Sequence, residues 1–309
     1  MSFLGKLTGG GVDWDVELAD PGAGLLPGST LHGRARFTVR RDIDARSVIA
    51  ALIGTAEWKV EVSRRNSDRQ VETESRWNSE DLGRAEARLS GPVRYTNGQT
   101  TELEFDLAVP SGAPPSVDTG VLRVKWELEV KLDVGGADPS ANIPIRVVLP
   151  VASVQASGPG LGLTSLSARS ETADAAIEVS PVPLVAGKPF TGVVETGEAL
   201  KNARVEIKLE AQVTGRDGAL AGALQRDLLN IGSERGQSET KSLWVGELKD
   251  GGAGPRGRRF EFSGVLPADA SPTVQLANGR TTATVDVVVS RRFMPDRHLV
   301  REIAIASGQ

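Results

Sequence analysis

The chain has no cysteine among its 309 residues. Disulfides, thiolate catalysis and cysteine-ligated zinc or iron–sulfur centres are therefore excluded. Histidine is almost as scarce, with only His32 and His298. Neither stands in a recognisable triad, and no His-x-His or His-x3-His spacing offers a metal pair. No catalytic residue, cofactor or metal is expected. Aromatic residues make up 4%, and Trp14, Trp58, Trp77, Trp126 and Trp244 fall singly at strand positions. Core packing is expected for them rather than a stacking platform. No run reaches the roughly 20 apolar residues of a membrane-spanning helix. The opening Met1–Gly11 lacks a long apolar core and a small-residue cleavage site, which predicts no export signal and a cytoplasmic location. A net charge of −4 provides no basic excess, so nucleic acid is not an expected partner.

Glycine and proline are abundant instead, at 35 and 17 residues, and they punctuate short stretches of alternating polarity. Val124, Trp126, Leu128, Val130, Leu132 and Val134 alternate with Lys125, Glu127, Glu129, Lys131 and Asp133. The run from Val48 through Trp58 to Val62, and the run Val205, Ile207, Leu209 and Val213, behave the same way. This is the period of antiparallel strands with one face on a core and one in water. The fold class is all-β. Residues 63–94 are mostly polar and predict one or two weak strands with mobile connections. Leu220–Leu229 is the best helical candidate, weakened by Gly222. The glycine-rich run Gly251–Arg259 reads as a hairpin loop feeding a strand at Phe260, while Gly158-Pro-Gly160-Leu-Gly162 lacks the ending of a phosphate loop.

The chain also repeats itself. Glu104-Phe105 through Pro110, followed by Pro115-Ser-Val117, returns as Glu261-Phe262 through Pro267, followed by Pro272-Thr-Val274. Phe105 and Phe262 are 157 positions apart, as are Pro110 and Pro267. Leu25-Leu-Pro-Gly28 leading to Gly33 answers Pro183-Leu-Val-Ala-Gly187 leading to Gly192. One β-domain used twice is the economical reading. It predicts two tandem antiparallel β-sandwiches of immunoglobulin-like form over 1–152 and 175–309. A Gly/Ser-containing linker over 153–174 would let the halves reorient.

These motifs, in this order and duplicated, resemble the arrestin superfamily. Leu26-Pro-Gly28 with Gly33, Asp44–Val48 leading to Gly54, and Phe105–Pro110 before Val124–Asp133 resemble the strands of an arrestin N-domain. Phe262–Pro267 with Pro272-Thr273 and Ile303–Ile305 resembles the close of the C-domain. The opening Met1–Leu7, with Val12 and Asp13–Leu18, is also similar to the bacterial sporulation-control branch. The resemblance implies a non-enzymatic intracellular adaptor or scaffold that binds a protein partner. The alternative is a β-sandwich module for a small molecule or sugar. One cluster stands out as a contact candidate: Arg291, Arg292, Phe293 and Met294 set two cations beside two bulky apolar groups. Such a tip suits an acidic partner or an anionic membrane surface.

Overall fold

A computed structural model describes residues 5–9, 11–20, 24–65, 71–149, 169–171, 175–197, 200, 203–214, 233–289 and 296–308. The helical candidate, nearly all of 153–174 and the Arg291–Met294 cluster lie outside them. All regular structure among the described residues is β.

The first half runs through β1 (Gly5–Gly9), β2 (Val12–Leu18), β3 (Thr30–Val39), β4 (Ile43–Arg65), β5 (Val71–Ser90), β6 (Val93–Tyr95), β7 (Thr100–Ala108), β8 (Val117–Asp118), β9 (Leu122–Val134) and β10 (Ser140–Ile145). The second runs through β11 (Arg169–Glu171), β12 (Ala175–Ser180), β13 (Leu184–Val185), β14 (Pro189–Thr196), β15 (Ala203–Val213), β16 (Ser233–Gly236), β17 (Ser238–Glu247), β18 (Lys249–Gly254), β19 (Gly257–Val265), β20 (Val274–Leu276), β21 (Gly279–Val289), β22 (Arg297–Ile303) and β23 (Ile305–Ala306).

The duplication read from the sequence holds at the level of pairing. One sheet is ordered β1-β2-β3-β7 in the first half and β11-β12-β14-β19-β18 in the second, where β18 is an added edge strand. The facing sheet is ordered β5-β4-β9-β10 in the first half and β17-β15-β21-β22 in the second. The turns match as well. Gly28 and Gly187 both have φ in the left-handed region, at 80° and 74°, which favours glycine. Their amides donate to Val109 O at 3.1 Å and to Leu266 O at 3.2 Å. Ala113 N reaches Pro110 O at 2.9 Å, and Ala270 N reaches Pro267 O at 3.1 Å. Phe105 lies over Gly33, and Phe262 lies over Gly192.

Each half has its own buried cluster. Trp14, Phe37, Leu52, Trp58, Phe105, Trp126 and Leu128 belong to the first; Phe190, Ile207, Phe262, Val285 and Ile305 belong to the second. Burial of a ring such as Trp126 contributes a few kcal/mol, about 25 cal/mol per Å² of apolar surface. Gly54 makes room for it, since a Cβ there would lie 2.6 Å from the indole. One position breaks the duplication. Where β10 places Ile143 opposite Leu128, β22 places Arg301 opposite Val285. The buried Arg301 guanidinium donates to Ile177 O at 2.8 Å, and burial lowers its pKa.

Three expectations are corrected. Residues 63–94, read as one or two weak strands, hold a long one instead: Val71–Ser90 is one continuous strand of 20 residues, zipped along β4. Its first part lacks apolar alternation because the side chains of Glu72–Trp77 are exposed and backbone pairing carries it, whereas Leu82, Ala85, Ala87 and Leu89 pack partly against the core. His298, which the charged sequence before Leu299 places in a turn, sits in β22 instead. Trp77 departs from core packing and is 37% exposed. Gly251–Arg259 does form a hairpin, β18 with β19.

Candidate functional site

The two histidines are in different sheets and are not brought together. His32 Nδ1 lies 2.6 Å from Asp106 on an exposed face. His298 Nδ1 lies 2.9 Å from Asp286, whose side chain is nearly buried. Among the described residues, no three His, Asp or Glu side chains are placed to hold a metal. No described helix is long and apolar enough to cross a membrane.

Around Asp286 the outer face of the β15–β21–β22 sheet carries a charge ladder. Lys208 Nζ donates to Asp286 at 2.7 Å and reaches Glu206 at 3.0 Å, and Arg204 donates to Glu206 at 2.7 Å. The Arg204 hydrogen bond, with help from Lys208, holds the Glu206 carboxyl below the ordinary range against the opposing effect of burial. The Asp286 hydrogen bond raises the Lys208 ammonium. The signs follow from linkage. The Glu206 contribution is present above the unfolded carboxylate value and disappears as pH falls through the lower folded one. The Lys208 contribution is present below the ordinary lysine value and disappears as pH rises through the higher folded one. Glu206→Gln is expected to cost on the order of 1 kcal/mol at pH 7. That difference should shrink as pH falls below the ordinary carboxylate range. Thermal melts of both proteins at pH 7, 5 and 3 check this; a difference constant with pH contradicts it.

Among the described residues, the exposed Trp77 lies close to where the halves meet. The outer end of the β4–β5 hairpin extends past the first sandwich, and Trp77 stands there on β5 beside Lys59 on β4. The Arg123 guanidinium, from β9, lies over the Trp77 ring at 4.3 Å from its centroid. Arg123 is held by Asp118 at 3.0 Å, and Lys125 by Glu57 at 2.7 Å. Charged groups fix the arginine, and the arginine fixes the indole. Close by, a cavity of about 590 Å³ opens between the halves, lined by Val117, Trp126 and Arg146 on one side and by Ala268–Pro272 on the other. A second, of about 370 Å³, is floored by Leu209, Ala211 and Leu243 and rimmed by Asp118, Arg123 and Glu239.

None of this was singled out in the sequence. Trp77 sits in a polar run, and Arg123 alternates like any outward strand residue. The tip at Arg291–Met294 lies outside the described residues, so its geometry contributes nothing to the site.

Residues 15–151 match the family described as Arrestin (or S-antigen), C-terminal domain. Over this segment the chain is similar to that family. The matching family is that of the C-terminal arrestin domain, yet the match falls on the chain's first half. The duplicated pairing accounts for that, because the same strand order serves both halves. A search of curated proteins returned no match. An arrestin-type domain points to a binding role in general.

Proposed function

We propose that this protein is a cytoplasmic, non-enzymatic adaptor that binds a protein partner across both sandwiches. The observation that carries the reading is the arrestin-family match over 15–151, on a first half whose strand order and turns recur in the second. Trp77 with Arg123 is the contact centre we assign to it. Tryptophan and arginine dominate the energetic centres of protein interfaces, and this pair is held in place before any partner arrives. Arg291, Arg292, Phe293 and Met294 belong to the same reading as a secondary contact with an anionic membrane or an acidic segment of the partner. No nucleic acid is part of it.

The test uses the intact tagged chain as bait in its native cells. A stoichiometric protein partner is expected. Trp77→Ala is expected to weaken capture by about tenfold or more while moving the melting temperature by only a few degrees. Retention unchanged by the substitution would remove Trp77 from the site. Turnover of a small molecule by the purified protein would end the adaptor reading.

The cavity of about 590 Å³ favours a second reading. Its size falls within the range of roughly 300–1,000 Å³ typical of small-molecule sites, and it lies between two units, where such sites are common. Native mass spectrometry of protein purified from its own cells separates the two readings. A retained small molecule supports the ligand-binding module.

A further inference from the structure

One run of chain belongs to two sheets. β16 pairs antiparallel with β4 of the first half, with Gly236 opposite Val60, Arg235 opposite Glu61 and Glu234 opposite Val62. One residue later β17 begins, and it pairs with β15 of the second half. Gln237 is the crossing point. Along β4, β16 takes over where β9 stops, since the last β9 residue in register is Leu122, opposite Trp58. The second half therefore completes the first half's sheet.

We propose that Ser233–Gly236 is a clasp that fixes the two halves at one angle, so that the protein presents a single rigid composite surface. Antiparallel pairing sets both the translation and the roll of the joined pieces. A slip of one residue would turn Glu234 out and Arg235 in. The register is specified by charge. Glu234 pairs with Arg76 on β5, and its side chain is only 16% exposed. Its second oxygen is buried without a hydrogen-bond partner, so Arg76 is the group that offsets the desolvation of this carboxylate. The residues Ser-Glu-Arg-Gly bring no apolar side chain of their own. Ties on both sides of the clasp reinforce it. Gln237 donates to Ser75 Oγ at 3.0 Å, and its carbonyl accepts from Val213 N at 2.9 Å. Glu239 accepts from Gly120 N at 2.6 Å, and Asn278 donates to Glu80 at 2.7 Å. Beneath them Ala211, Val213 and Val274 of the second half join the buried cluster of the first.

The clasp stands on geometry alone. What the fixed surface is used for rests on the adaptor reading above, where a partner touching both halves would bind without ordering them first.

The absence of native cysteine makes the test direct. Spin labels on Asp20→Cys and Lys249→Cys, both exposed, report the distance between the halves in the full chain. One narrow distribution is expected. Glu234→Arg, which sets a cation against Arg76, is expected to broaden it at least twofold. Adding Arg76→Glu should restore the narrow form by reversing the pair. If Glu234→Arg does not fold by circular dichroism, Glu234→Gln takes its place, and a measurable broadening is still expected. A broad distribution in the labelled protein without further substitution overturns the proposal. So does a width unchanged by the substitution that folds. Partner capture is read separately: a narrow distribution with no partner retained leaves the clasp standing and sinks the adaptor reading.

Discussion

A chain cut after residue 152 should self-associate more strongly than the full chain. Strands β1 to β10 build two sheets, and the duplication invites the idea that each half stands alone. The outer part of the β4–β5 hairpin argues otherwise. Val60 and Val62 point inward from β4 and are buried, and they share a cluster with Ala211, Val213 and Val274 from the second half. The β4 edge from Val60 to Ser63 is closed by β16, and Leu122 packs where Gly279 approaches. Removing the second half strips the cover from these apolar groups and reopens a strand edge. Exposing each buried aliphatic side chain costs about 1.5–3 kcal/mol. An unpaired apolar edge is also a template for another chain. Size-exclusion chromatography with light scattering is the measurement. A monodisperse monomer from residues 1–152, with the melting temperature of the intact protein, would show that the second half adds nothing to the first.

Much of the fold was legible because the signals that carried it are strictly local. Positive φ at Gly28 and Gly187 requires glycine, so these turns announce themselves at matched positions. Trp126 and Leu128 sit in a strand with one wet face, and such a strand writes its environment into period two. What the sequence concealed depends on contacts between distant segments. β5 reads only as a weak strand because the side chains of its first part meet water, and those that face the second half do so through polar groups such as Arg76 and Glu80. β16 contains no apolar residue, so no periodicity betrays a strand. Arg301 violates the pattern in the opposite sense: it is a charged residue at an inward position, satisfied by a carbonyl from a strand of the facing sheet. The candidate site was hidden for the same reason. Arg123 and Trp77 lie 46 positions apart in sequence and meet only because β9 and β5 flank β4. The two histidines were visible at once, yet each is hydrogen-bonded to a different aspartate in a different half.

Gly192→Ala is expected to be among the most damaging single substitutions in the chain. Gly192 lies opposite Phe262 in the β14–β19 pair, and the ring folds back over it. A Cβ at that position would stand far inside contact distance of Phe262 Cζ. The ring has little freedom to move. It is bracketed by Phe190 and Trp244, with centroids at 6.4 Å and 6.2 Å, and Trp244 is itself seated on Gly264. One methyl group must therefore displace a packed aromatic cluster or bend the strand. Overpacking of this kind costs typically 1–3 kcal/mol, and with so little slack a loss of about 3 kcal/mol is expected. In a protein of this size that lowers the melting temperature by roughly 5–10 °C. Gly33→Ala tests the same device in the other half, where the added Cβ would meet Phe105 Cζ in the same way. The mechanism has its own control. Phe262→Leu shortens the side chain over the glycine, so the double substitution Gly192→Ala with Phe262→Leu should cost clearly less than the sum of the two singles. If the costs simply add, the clash between these two residues is not the cause. A melting temperature unmoved by Gly192→Ala would show that the aromatic cluster can relax, and that the glycine–phenylalanine pair repeated in both halves does not constrain the packing.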